Sequence, residues 1–242
     1  MPQTFVLIHG AWHGGWAWHA VASELRAAGH DVYAPILPGL GEHDDPSTVT
    51  LQECVNFAAD YITRKNLSDV ILVGHSWGGF IVSGVTMKLG RVIARRVYFN
   101  AHVPLTGESL NDIVPPEYVA VFDELAKASG NNSVSLPFEF WQQALMQDAG
   151  EETQRIAYSW LLPQPYHYFT DSLDLDGLED KGVPASYVTS PDDIALPPGE
   201  YGWTPRFPDR LKNVRVVPTV GSHESLFTQP AAVAIALQEA AA

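Results

Sequence analysis

The sequence predicts an α/β protein: a mostly parallel, doubly wound sheet with helices on both faces and an inserted helical cap. Three observations carry that prediction. Short apolar, β-rich runs alternate with helical patterns through the first hundred residues, and such alternation implies right-handed crossovers between parallel strands. The rhythm lapses between about residues 104 and 181, where helical patches, prolines and aromatics gather. It then resumes to the C-terminus. The expected organisation is one core, residues 1–103 and 182–242, carrying a cap of residues 104–181.

Thr4-Phe5-Val6-Leu7-Ile8 is an apolar run too short for a helix and soon closed by Gly10, hence a strand. Trp16 to Ala28 reads as a helix with Gly29 as its C′ residue. A strand at Asp31 to Ala34, a helix over Leu51 to Arg64 and a strand at Val70 to Val73 follow. Gly78 to Leu89 is the next helix, ended by Gly90, and Arg96 to Asn100 the next strand. Beyond the insertion, Pro184 to Thr189 and Asn213 to Pro218 read as strands. Pro230 to Ala241 is an Ala-rich closing helix. Within the insertion, Phe122, Phe138, Phe140, Trp141, Tyr158, Trp160, Tyr166, Tyr168 and Phe169 supply rings for a core, an apolar pocket, or both.

A chain of 242 residues with 46% hydrophobic content sustains one large core. Its formal charge of −14 repels phosphate backbones and anionic bilayers, which argues against nucleic-acid and membrane partners. Cys54, the single cysteine, excludes an intrachain disulfide, fits a reducing compartment and sits in a helical pattern as a buried structural thiol. The opening MPQTFVLIHG has no basic n-region, and no stretch reaches membrane-spanning length. The expectation is a soluble, cytoplasmic protein, its oligomeric state left open.

Gly74-His75-Ser76-Trp77-Gly78 matches Gly-x-Ser-x-Gly, a weak signal alone. Here it follows a hydrophobic strand and opens a helix, the context of a nucleophile elbow. Such a turn forces the serine into a sparsely populated backbone conformation, and the flanking glycines remove Cβ atoms that would strike strand and helix. A serine hydroxyl also needs a base and a carboxylate to orient that base. Later strands run into Asp192-Asp193 and into Gly221-Ser222-His223, in the order acid then base. Two acids stand where one is required. For an oxyanion, Trp77 supplies one backbone amide, and the glycine-rich loop His9 to Trp16 supplies another, with Ala11 the candidate.

Competing metal and nucleotide readings are weaker. His9 and His13 have a zinc spacing only on a helix, which Gly10, Gly14 and Gly15 oppose. Glu42-His43-Asp44-Asp45 reads as a solvated loop, and the glycine loops match no nucleotide fingerprint. No cofactor and no metal are assigned.

Phe5 to Trp18, Leu37-Pro38-Gly39-Leu40-Gly41, Gly74 to Gly79, Asp193-Ile194-Ala195-Leu196-Pro197 and Gly221-Ser222-His223 together span nearly the whole chain. In these blocks it resembles the α/β hydrolase superfamily, in its branch of plant methylesterases, hydroxynitrile lyases and bacterial esterase relatives. The resemblance implies the α/β-hydrolase fold, with Ser76 as nucleophile, His223 as general base and acid, and Asp193 as orienting carboxylate. Asp193 is preferred to Asp192 because the family's acid stands just before an x-Ala-Leu/Ile-Pro segment. Ala11 and Trp77 then supply the oxyanion amides. Lyases of the branch carry threonine and lysine where this chain has Gly10 and Glu224. Glu224 has the wrong sign to assist a departing cyanide.

The expected activity is hydrolysis of a small, apolar or aromatic carboxylic ester through an acyl-enzyme. Lactones, such as acyl-homoserine lactones, need only a different pocket shape. The same scaffold can also carry a lyase, a cyclase, a cofactor-independent oxygenase, or a receptor that binds without turnover.

Overall fold

The computed structural model describes residues 1–242. The chain runs β1 (Thr4–Ile8), α1 (His19–Ala27), β2 (Asp31–Tyr33), α2 (Leu51–Arg64), β3 (Val70–His75), α3 (Gly78–Leu89) and β4 (Ile93–Phe99). Next come α4 (Leu110–Ile113), α5 (Pro116–Ser129), β5 (Ser133–Val134), α6 (Phe138–Phe140), α7 (Glu151–Tyr158), β6 (Gln164–Pro165) and α8 (His167–Thr170). The chain closes with β7 (Ala185–Thr189), β8 (Arg215–Pro218), α9 (Ser225–Thr228) and α10 (Pro230–Ala241). No helix is long and apolar enough to cross a membrane.

Six strands form one sheet in the order β2-β1-β3-β4-β7-β8, every pair parallel. All six residues of β3 are buried, which explains why it reads as an unbroken apolar run rather than an alternating one. One face of the sheet is covered by α1 and α10 around Trp18, Leu25, Val233 and Leu237. The other packs on α2, α3 and much of residues 104–181, around Leu72, Phe80, Trp141 and Tyr168. The strand order reverses between β1 and β3, whose ends lie side by side with Ile8 opposite Gly74. Ligands of open α/β sheets bind at such a switch point, beyond the carboxyl ends of the strands.

Local signals account for the element boundaries. Thr50 caps α2 by accepting from the Glu53 amide, and the Glu53 carboxylate answers to the Thr50 amide. Gly29 closes α1 at φ +91°. Several boundaries differ from those expected, three of them for a visible reason. The helix foreseen from Trp16 begins as a 3₁₀ turn, Gly15–Trp18, before α1. It starts where Gly15 is pressed so close to the loop after β2 that a Cβ would lie 2.1 Å from the Ala34 carbonyl oxygen. Strand β3 extends through Gly74 and His75 because β4 pairs with both. Strand β4 starts earlier, at Ile93, beside an irregularity in its pairing at Val70 and Ile71.

Candidate active site

Ser76 lies in the step between β3 and α3 with φ +53°, in the left-handed region that a non-glycine residue adopts only when its surroundings enforce it. The enforcement is visible. The Ser76 amide donates to the Phe99 carbonyl, and the Ser76 carbonyl accepts from the amides of Gly79 and His102. A Cβ on Gly74 would sit 2.5 Å from the Gly78 carbonyl oxygen, and one on Gly78 would sit 2.8 Å from the His9 carbonyl oxygen. Strand and helix can therefore close on each other only with glycine at both places.

His223 follows β8, and Asp193 follows β7. The His223 Nδ1–H donates to Asp193 Oδ2 at 2.6 Å, and Asp193 Oδ1 accepts from the Ala195 amide at 2.9 Å. Asp193 is buried, whereas Asp192 faces solvent and meets the Gly221 amide at 3.4 Å. Burial by itself would lower the His223 pKa. The Asp193 carboxylate overrides it and holds the imidazole above its usual 6.5. His75 Nε2–H donates to the His223 carbonyl at 3.0 Å and so pins the backbone of the loop. Ser76 and His223 share the walls of one apolar chamber and of a smaller cavity beside it. No hydrogen bond joins hydroxyl and imidazole here, a contact that commonly tightens only around a substrate.

The amides of Ala11 and Trp77 donate to no protein group, and both residues line the chamber beside Ser76. The neighbouring Trp12 amide is taken by Gln164 Oε1 at 2.7 Å. His9 fixes the same loop, its Nε2 accepting from the Leu37 amide and its Nδ1–H donating to the Gly10 carbonyl. A Cβ on Gly10 would lie 3.0 Å from His75 Nδ1 and 3.2 Å from Ser76 Cβ. A side chain there would have to push the serine loop aside.

Residues 5–236 match the model of the alpha/beta hydrolase family. The chain belongs to that family. It is 28% identical over 218 residues to methylesterase 2 of Arabidopsis thaliana, covering 83% of this chain and 82% of the relative. It is 43% identical over 125 residues to a carbendazim hydrolyzing esterase of Nocardioides sp. (strain SG-4G), an alignment spanning about half of either protein (49% of this chain, 52% of the esterase). Among solved structures it is similar to an extracellular alpha/beta-hydrolase from a Paenibacillus species, at TM-score 0.95 and 36% identity over 99% of both chains. That protein shares structural and functional homology with tobacco salicylic acid binding protein 2. Both of these sequence relatives are named as esterases.

The chamber is mostly apolar. Of the rings in residues 104–181, Phe122, Phe140 and Phe169 line it together with Tyr118, a ring the sequence did not single out. Trp160 instead stands half exposed at the surface. Trp203 was also missed, since the segment around it has no periodicity. Its indole stacks on His223 at 5.3 Å between ring centroids and 11° between planes, a face suited to an imidazolium. Residues 145–148 clasp the loops that carry Asp193 and His223: the Leu145 carbonyl accepts from the Glu224 amide, Gln147 donates to the Asp192 carbonyl, and Asp148 accepts from the Ser222 amide.

Glu224 requires a correction. The sequence places a negative charge there. The side chain is fully enclosed, and burial pushes its carboxyl up to about 8, offset in part by His223 and reinforced by Asp193 and Asp148. At neutral pH the neutral acid predominates. Its Oε2 lies 3.4 Å from His13 Nε2, and neither atom has another partner. The His13 Nδ1–H donates to the Ala11 carbonyl at 2.6 Å, so Nε2 offers a lone pair that a protonated carboxyl can meet. Cys54 is buried, and burial pushes its thiol up to about 12, the state of a packing residue.

Proposed function

We propose that the protein is a serine esterase that cleaves small carboxylic esters with an apolar or aromatic acyl group through an acyl-enzyme. One observation carries this reading: a strained serine, an imidazole bonded to a buried carboxylate, and two unpartnered amides face one apolar chamber. Ser76 Oγ attacks the ester carbonyl as His223 Nε2 takes its proton. Asp193 stabilises the imidazolium, and the oxyanion lies between the Ala11 and Trp77 amides. Each such donor lowers the barrier by roughly 3 kcal/mol. His223 then protonates the departing alcohol, and a water entering on that side releases the acid by the reverse sequence.

The acyl group occupies the chamber, and the alcohol leaves toward the smaller cavity lined by Gly10, His13 and Glu224. That cavity is far narrower than the chamber, which favours short alcohols. The names of the plant relatives, methylesterases, point the same way. With Glu224 neutral, the departing group meets no cation, which supports hydrolysis over cyanide elimination. A fluorophosphonate probe tests the assignment. Wild type becomes labelled, Ser76→Ala does not, and His223→Ala labels at least about 10³-fold more slowly. Equal labelling of wild type and Ser76→Ala would end the case for this nucleophile.

A further inference from the structure

Ala11 and Trp12 present four backbone polar groups in the loop after β1, and three of them are held. The Ala11 carbonyl accepts from His13 Nδ1–H at 2.6 Å. The Trp12 carbonyl accepts from the Leu162 amide at 2.9 Å, and the Trp12 amide donates to Gln164 Oε1 at 2.7 Å. Only the Ala11 amide is left free. Trp12 itself has φ +64°, a left-handed backbone that a bulky residue adopts only where its surroundings enforce it.

The enforcement comes from the segment 104–181. Strands β5 and β6 form a two-stranded antiparallel ribbon with Val134 opposite Gln164. The ribbon grips Trp12 at two points: the Val134 carbonyl accepts from the indole Nε1 at 2.9 Å, and the Gln164 side chain takes the amide. Gln164 is fully enclosed, and its Nε2 has no partner. A buried donor left unpaired is uncommon. Here it accompanies an acceptor that holds a strained backbone in place. Without that oxygen the Trp12 N–H would be stranded, and the loop could relax out of the left-handed conformation. The adjoining Ala11 amide would move with it. An oxyanion donor works only within about 2.7–3.1 Å of the developing charge, so a small displacement is enough to weaken it.

We propose that Gln164 is a positioning residue for the oxyanion hole: its side-chain oxygen takes up the Trp12 amide, holds Trp12 in the left-handed conformation, and so aims the Ala11 amide at the reacting carbonyl oxygen. The proposal rests on the esterase reading. Gln164 lines neither cavity beside Ser76, so its effect passes through the loop and not through contact with substrate.

The test compares wild type with Gln164→Leu, Gln164→Asn and Gln164→Glu. Glutamate keeps an oxygen at the same reach, asparagine falls one methylene short, and leucine has none. Each protein is assayed with p-nitrophenyl acetate and butyrate and with benzyl trifluoromethyl ketone, an inhibitor whose tetrahedral serine adduct carries an oxyanion. Gln164→Leu should lower kcat at least about 10-fold, short of the roughly 10²–10³ for loss of a donor outright, with KM within about 3-fold of wild type. Its affinity for the ketone should fall by the same factor as kcat/KM, and Gln164→Glu should regain most of both. Should the leucine variant fail to fold, asparagine against glutamate carries the comparison, the first impaired and the second near wild type. A Gln164 that only supports the fold would lower Tm and leave kcat and ketone affinity at wild-type levels, which would overturn the proposal. Equal losses in the variants with and without an oxygen in reach, or a rise in KM alone, would overturn it as well. A wild type that neither cleaves the esters nor binds the ketone would remove the esterase reading, and this proposal with it.

Discussion

Asp192 and Asp193 are chemically identical neighbours, and the fold gives them opposite fates. The two stand at the end of a tight turn that the Asp193 amide closes on the Ser190 carbonyl, and the turn aims their side chains apart. Asp193 turns inward to His223, while Asp192 turns outward. Asp193→Asn should therefore lower kcat by about 10⁴, and Asp192→Asn should change it less than about 3-fold, the scale of a surface substitution. The same pair makes a prediction about pH. In the proposed mechanism His223 must be neutral to act as base, and Asp193 holds its pKa above 6.5 against burial. In wild type, kcat/KM should fall as pH drops through that raised value. Without the carboxylate, burial prevails and the acid limb should move below 6.5. A profile of kcat/KM against pH for both proteins decides it, and an unmoved limb would free His223 of Asp193. The preference for Asp193 was legible only through the Ile194-Ala195-Leu196-Pro197 pattern that follows it. Glu224 was misread because charge is visible in a sequence and burial is not.

At the level of elements, the sheet was legible and the segment from 104 to 181 was not. Strands buried on both faces print themselves as apolar runs, as Val70 to Val73 does, and α2 announces its start with Thr50 and Glu53. Helices of three or four residues, such as α4, α6 and α8, have too few turns to leave a period. They are set by packing on the sheet and on one another. The clasp at residues 145–148 was invisible for the same reason, because it joins loops distant in sequence. Asp148 accepts from the Ser222 amide at 3.1 Å and from the Thr228 hydroxyl at 2.8 Å. Asp148→Ala should cost about 1 kcal/mol, a fall in Tm of roughly 3 °C for a chain of this size. It should also lower kcat more than it raises KM, since the loop it holds carries His223. Packing within an element makes a larger prediction. A Cβ on Gly79 would lie 1.9 Å from the His102 carbonyl oxygen, so Gly79→Ala must lift α3 off the sheet and should destabilise by about 3 kcal/mol. Chemical denaturation of the variant measures that loss.

The whole molecule carries an electrostatic consequence of the way its site is built. His9, His13, His75 and His102 are all enclosed around the loops that carry Ser76 and His223, and burial, first among the causes, lowers each pKa. The values fall to about 4 for His9 and about 3 for His13 and His102, with His75 well below its usual 6.5. Such a histidine is harder to protonate folded than unfolded. Its contribution to stability is complete above pH 6.5 and is lost as pH falls toward the folded value. Glu224, raised to about 8, acts in the other sense: its contribution is complete below about 4.5 and is lost as pH rises through 8. His223, also raised, is complete below 6.5 and leaves the slope there unchanged. Between pH 6.5 and 4.5 four groups therefore oppose folding and one favours it. The net is about three protons taken up on unfolding, or roughly 4 kcal/mol per pH unit. Domains have only about 5–15 kcal/mol in total, so the chain should unfold cooperatively with an acid midpoint between about pH 4 and 5.5. Replacing His102 by phenylalanine removes one of the four and should flatten the dependence by about 1.4 kcal/mol per unit. Urea denaturation followed by circular dichroism at pH 7, 6, 5.5 and 5 measures both slopes, and stability constant from pH 7 to 5 would show that these imidazoles are not enclosed as described.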